Sequence, residues 1–219
     1  MPKTVKIDLF TDIVCPWCLV GSARLDQALA RLPADVTADV ENHPFYLSPD
    51  TPAVGVVVAD MLRQKYGRDP RQMWERVENE ARASGIALDL SKQPRAYPTA
   101  KAHTVIRLAR AKGTQHALAN AISAAYFLEQ KQVNDDEVLA EIAEQYGYTR
   151  EEALRVMHDP VALKQSHDLA VLAARQGITG VPYFVFNNTY ALSGCQPDAM
   201  FDRALGLALD PPQDRPLIA

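Results

Sequence analysis

The chain has 219 residues, 47% of them hydrophobic and 23% charged, with a formal net charge of −4 and a pI near 5.7. That is the composition of a globular protein, one large domain or one domain carrying a second as an insertion, and it excludes disordered and fibrous classes. Basic residues are interleaved with acids, so no nucleic-acid partner and no polybasic membrane patch are expected.

Met1 to Asp8 is polar and charged where a signal peptide would have its apolar core. No apolar run approaches the roughly 18 residues needed to span a bilayer, so no membrane partner is expected and the chain is assigned to the cytoplasm. Thr4 to Phe10 places Val5, Ile7 and Leu9 on one face and predicts a strand. After Cys15-Pro16-Trp17-Cys18, Leu25, Ala28, Leu29 and Leu32 recur at helical spacing, in a helix that Pro33 closes. Val36 to Val40 alternates again, so the chain opens as a parallel β-α-β unit with a right-handed crossover.

From about residue 53 to 174 the periodicity is helical. Ala102, Val105, Ile106 and Ala109 form one stripe, Leu118, Ala121, Ile122 and Ala125 the next, and Val138, Leu139, Ile142 and Ala143 a third. Asn134 with Glu137, and Thr149 with Glu152, have capping-box spacing, and Gly147 can end the helix between them. Pro94 and Pro98 mark a loop. Strand character returns in Tyr183-Phe184-Val185-Phe186 and in Tyr190 to Leu192, with Asn187-Asn188 as a hairpin turn. A final helix carries Phe201, Ala204, Leu205 and Ala208 on one face. One α/β sheet needs both ends of the chain, so the helices between must form an inserted lobe.

Three cysteines in a chain of this length do not make a disulfide framework. Placed at random they would show C-x-x-C spacing only about 3% of the time, so the pair Cys15/Cys18 is informative. It follows a strand and opens a helix. Pro16 suits the first helical turn, where its missing N–H is not needed. Cys15 then sits at or next to the N-cap, where unpaired N–H groups and the helix dipole stabilise an anion, and the thiolate is the nucleophile in disulfide exchange. Cys18, one turn further on, is placed to attack a mixed disulfide on Cys15. Trp17 offers a docked substrate an apolar contact. A zinc knuckle would need two more Cys or His ligands at compatible spacing; the third cysteine is Cys195, and no H-x-x-x-H or second C-x-x-C accompanies it.

Asp12-Ile13-Val14-Cys15-Pro16-Trp17-Cys18 with Gly21 resembles the active-site start of the DsbA-like thioredoxin-fold oxidoreductases, specifically the FrnE-like subgroup. Phe45-Tyr46-Leu47-Ser48-Pro49-Asp50 is similar to the subgroup's segment after its second strand. Gly180-Val181-Pro182-Tyr183-Phe184-Val185 resembles its cis-proline motif, and Ser193-Gly194-Cys195-Gln196 its closing Ser-Gly-Ala-Gln. The resemblance implies an α/β thioredoxin-like fold with a large inserted helical lobe: residues 1–52 and 175–210 as a discontinuous thioredoxin-like domain and 53–174 as the lobe, whose last helix can pack on the sheet; the Pro-rich composition of 211–219 predicts an extended tail.

It also implies a cis Val181–Pro182 bond facing the cysteines, with the Val181 backbone pairing with a substrate strand. Only the resemblance selects Pro182, since cis X-Pro bonds are rare at about 5–6%. Such families often carry Ala where Cys195 stands, which is therefore read as filling a small packing site. The subgroup's Asn-Thr before Ala-His is Pro98-Thr99 before Ala102-His103 here, so the Asn is missing. His103 either lines the groove near Cys15 or is structural. Asp12 either relays protons or accepts backbone N–H bonds near the turn, since a carboxylate beside a thiolate would disfavour the thiolate.

The leading expectation is a protein-disulfide oxidoreductase or isomerase acting on protein or peptide disulfides and thiols. It needs no cofactor beyond its own cysteine pair, with glutathione as a candidate redox partner. Two alternatives stay open. One is a glutathione-dependent isomerase or transferase of similar layout, which would use Ser in place of Cys15 and Asn at Pro98. The other is a non-enzymatic zinc-binding or holdase module. The oligomeric state is open, a homodimer included.

Overall fold

The computed structural model describes residues 3–67 and 69–211. Strand β1 (Lys3–Thr11), helix α1 (Pro16–Leu29) and strand β2 (Val36–Pro44) form a parallel β-α-β unit, with Lys3 opposite Val36 and Thr11 opposite Pro44. Next come the two-residue strand β3 (Val56–Val57), α2 (Val58–Tyr66), α3 (Arg71–Ala83) and the two-residue strand β4 (Arg95–Ala96). Five helices follow: α4 (Ala100–Leu108), α5 (Gln115–Leu128), α6 (Asp136–Glu144), α7 (Arg150–His158) and α8 (Pro160–Arg175). The hairpin β5 (Tyr183–Phe186) and β6 (Tyr190–Ser193) and helix α9 (Asp198–Leu209) close the fold.

The main sheet has the order β2-β1-β5-β6, so β1 lies between a strand from its own end of the chain and one from the other. β5 runs antiparallel to β1, pairing Leu9 with Phe184 and Phe10 with Tyr183. Asn187 and Asn188 both have positive φ in the hairpin turn, a conformation Asn tolerates better than most residues, and Asn187 Oδ1 accepts the Lys6 N–H at 2.8 Å.

Period-two alternation sends Val5, Ile7 and Leu9 to one sheet face. There they pack with Phe184, Phe186, Leu25 of α1, and Phe201 and Leu205 of α9, all buried. Each large side chain so buried contributes roughly 1.5–3 kcal/mol. On the other face Phe10 packs with Ala173 of α8 and Ile178. The helical segment has its own core, built on Val105, Leu118, Ile122, Leu139 and Met157, into which Ile13, Leu19 and Val20 of the cysteine segment insert. The start of α1 is thus gripped between the two cores.

Three local expectations are corrected. The cap of α6 is Asp135, whose carboxylate accepts the N–H groups of Glu137 and Val138; Asn134 instead donates its amide to the Ala53 carbonyl at 2.8 Å. Helix α1 ends at Leu29, and Leu32 reaches the core from the turn beyond it. The segment around Pro94 pairs as β4 with β3, Val56 opposite Ala96, a ladder too short to leave a periodic trace. The tail expected at 211–219 lies, beyond its first residue, outside the described residues. No helix of the described residues is long and apolar enough to cross a membrane.

Candidate active site

Cys15 is the N-cap of α1, with φ −94° and ψ 110°, and Pro16 occupies the first helical position. No side chain caps the helix and no acid lies in its first turn, so the positive end of the helix dipole faces the Cys15 sulfur. The Cys15 N–H donates to the Asp12 carbonyl at 3.1 Å, and its own carbonyl accepts from Cys18 at 3.0 Å and Leu19 at 3.3 Å. Across the cleft the Cys15 thiol donates to the Val181 carbonyl at 3.7 Å. The Val181–Pro182 bond is cis, and the Pro182 carbonyl accepts the Gly194 N–H at 2.8 Å.

The two thiols are not equivalent. Both are free, but the Cys18 thiol is pushed well above its ordinary range. Complete burial is the main cause, and the hydrogen bond and charge of neighbouring Cys15 add to it. Trp17 is half-buried, and the Arg76 guanidinium of α3 lies 5.6 Å from its ring centre.

Asp12 and His103 come together although 91 residues apart. His103 Nε2 donates to Asp12 Oδ1 at 3.2 Å, the Leu47 N–H donates to Asp12 Oδ2 at 2.8 Å, and only 2% of the Asp12 side chain and 3% of the His103 side chain are exposed. The Tyr46 ring stands edge-on to His103 at 5.3 Å, and burial pushes its phenol up to about 12, with the Asp12 charge adding to the effect. Pro98 is half-buried in the stretch leading into α4.

Cys195 stands outside the motif, yet near enough for the Cys15 charge to act on it. Buried Arg24 donates to its sulfur at 3.4 Å, to the Gln196 carbonyl at 3.0 Å and to Glu80 at 2.6 Å. Burial raises the Cys195 thiol to about 11 and outweighs the guanidinium, which pulls the other way. Among the described residues a group able to ligate a cation is Asp8, Glu41 and His43, on the sheet away from the cysteines. Lys6 already places its ammonium 3.2 Å from Asp8 and 3.8 Å from Glu41.

Gly21 is in the quoted motif, but its role became visible only in three dimensions. A Cβ there would lie 2.9 Å from Pro182 Cγ and 3.2 Å from Phe184 Cζ, so α1 approaches the proline loop as closely as a missing side chain permits. A glycine inside a helix costs about 1 kcal/mol against alanine, which is a readable hint of such an approach. Gly21→Ala gains that propensity but overpacks a rigid ring at a cost of about 1–3 kcal/mol. The expected outcome is a net loss of stability in urea unfolding; an equal or more stable variant would contradict the contact.

The family model for the DSBA-like thioredoxin domain matches residues 6–206. The chain belongs to that family. Among DSBA-like relatives of known structure, the probable DsbA oxidoreductase SCO1869 from Streptomyces coelicolor is 34% identical with a TM-score of 0.84, the alignment covering 98% of this chain and 94% of that one. The uncharacterized protein YwbO of Bacillus subtilis (strain 168) is 28% identical over 211 residues, 92% of this chain and 96% of its own length. The cytosolic disulfide reductase DsbM from Pseudomonas aeruginosa, solved with GSH, shares the fold at 18% identity and a TM-score of 0.63, over 93% of this chain and 95% of its own.

Proposed function

We propose that this DSBA-like chain is a thiol–disulfide oxidoreductase of the FrnE-like subgroup, exchanging disulfides with protein or peptide substrates and small thiols, with no cofactor beyond its own cysteines. The asymmetry of the pair carries the reading: Cys15 caps a helix beside the Val181–Pro182 loop, while Cys18 is sealed beneath it with its proton held on. Cys15 thiolate attacks a substrate disulfide and forms a mixed disulfide; Cys18 then attacks Cys15 Sγ and releases the substrate thiol. The reverse sequence oxidises a substrate. The Val181 backbone aligns the substrate strand, and Trp17 gives it an apolar contact. Ser at position 15 and Asn at position 98, the marks of the glutathione-dependent isomerase reading, are Cys15 and Pro98 here. Three cysteines are too few for a disulfide framework, which suits a reducing compartment, and we place the protein in the cytoplasm.

Equilibration in graded glutathione buffers, followed by alkylation and mass spectrometry, tests the pairing. Cys15 and Cys18 are expected to lose their thiols together in one transition. Cys195 is expected to stay free, its thiol lying near 11 and thus protonated at neutral pH. Cys195→Ala should leave the transition in place and lower stability by only about 1 kcal/mol, the worth of a small buried group and one hydrogen bond. A disulfide between Cys195 and either active-site cysteine would refute the assignment.

A further inference from the structure

Beneath Cys18 lies a cavity of about 10 Å³, lined by Thr11, Asp12, Cys18, Ser22, Asn120 and Ser123 among others. That is room for one water molecule, provided two to four polar partners are at hand. They are: Cys18 and Ser22 stand one turn apart on α1, and Ser123 and Asn120 face them from α5. Ser123 is 8% exposed, and its hydroxyl is buried with no hydrogen-bond partner among the described residues, a defect that a bound water would repair. The wall continues in polar groups. Asn120 Nδ2 donates to Asp26 Oδ2 at 2.8 Å, and Asp26 Oδ1 lies 2.7 Å from His116 Nε2; the Asp26 side chain is 43% exposed. The cavity therefore adjoins a polar edge between α1 and α5 that reaches solvent.

We propose that this cavity is a water site between α1 and α5 that takes the proton from Cys18 during resolution, with Ser123 of α5 as the positioning residue. The inference rests on the reading of Cys15 and Cys18 as an exchange pair. In the step, the Cys18 Sγ–Cys15 Sγ bond forms and the bond from Cys15 Sγ to the substrate sulfur breaks. The substrate sulfur leaves with the electron pair. The Cys18 proton passes to the water and out to solvent. No external oxidant enters, because the mixed disulfide is the oxidant. A fully buried thiol whose proton is held on needs such an acceptor. The charged and titratable groups around it already have partners: each Asp12 oxygen accepts one N–H, from Leu47 and from His103, Cys15 is the bond partner, and Asp26 and His116 are paired with each other.

The test uses the reduced full chain in a Cys195→Ala background and an aromatic disulfide that liberates one coloured thiolate at each opening. The first equivalent reports attack by Cys15, the second attack by Cys18. Ser123→Val, which removes the hydroxyl and fills the space, is expected to slow the second phase by about a hundredfold or more, the lower end of general acid–base assistance, with the first phase unchanged. Its second phase should also rise more steeply with pH and lose its solvent deuterium isotope effect. Ser123→Ala, which leaves the water its space, is expected to fall between wild type and Ser123→Val, and serves if the valine variant fails to fold. Either folded variant releasing the second equivalent at the wild-type rate with an unchanged pH profile overturns the proposal. Release of only one equivalent by the unmutated pair would instead refute the exchange reading itself.

Discussion

Cys15→Ser is expected to abolish disulfide exchange, lowering turnover by at least about a thousandfold, because a serine hydroxyl is scarcely ionised at neutral pH and cannot replace a thiolate nucleophile. Cys18→Ser should fail differently. The first attack still occurs, but nothing resolves it, so Cys15 accumulates as a mixed disulfide that mass spectrometry detects as an added substrate mass. The contrast follows from geometry: Cys15 caps the helix against the Val181 loop, and Cys18 lies one turn inside with its thiol sealed from solvent. Reduction of insulin disulfides gives the turnover. Substantial activity in Cys15→Ser, or an adduct that builds up on Cys18 instead, would reverse the roles.

The largest stability effect is expected from Asp12→Ala. Its carboxylate accepts from His103 Nε2 and from the Leu47 N–H, with both side chains of the pair almost wholly buried. Truncation strands two donors in the interior, and each buried donor left unsatisfied costs about 1–3 kcal/mol. A loss of about 2–5 kcal/mol follows, a large part of the roughly 5–15 kcal/mol that holds a domain together. Asp12→Asn keeps one acceptor oxygen and should lose about half as much. Urea unfolding with an unchanged slope measures both. A loss under about 1 kcal/mol for the alanine variant would mean that the pair does not anchor the segment.

How much of this was legible beforehand depended on the range of the interactions. Val5, Ile7 and Leu9, and Phe201, Ala204, Leu205 and Ala208, announce their elements because burial on one face imposes a period within a single element. Thr149 caps α7 through the Glu152 N–H as its spacing foretold. Asp135 displaced Asn134 as a cap because either residue type can fill the role, and only the path of the chain decides which does. At the site, Cys15, Pro16 and Cys18 were readable from their own spacing. The union of Asp12 with His103, the hold of Arg24 on Cys195 and the place of Ser123 were not. Each joins residues far apart in the chain, and a lone serine on a helix carries no periodic mark of what it faces.

The position of β1 between β2 and β5 also sets an order of assembly. β1 meets β2 across a separation of 33 residues, as in the Thr4–Thr37 contact, whereas Cys15 meets Val181 across 166. Closing the longer loop as free chain costs about 1.4 kcal/mol more in entropy. The helices between make long-range contacts of their own, Thr104 to Ser166 across 62 residues and Tyr148 to Val105 across 43, and once formed these bring residue 180 back towards β1 and shorten the effective loop. On the ribosome, Cys15 precedes its Val181 partner by 166 residues. A nascent chain therefore carries the Cys15 thiol without its Val181 cover until those 166 residues have been added and β5 has paired with β1.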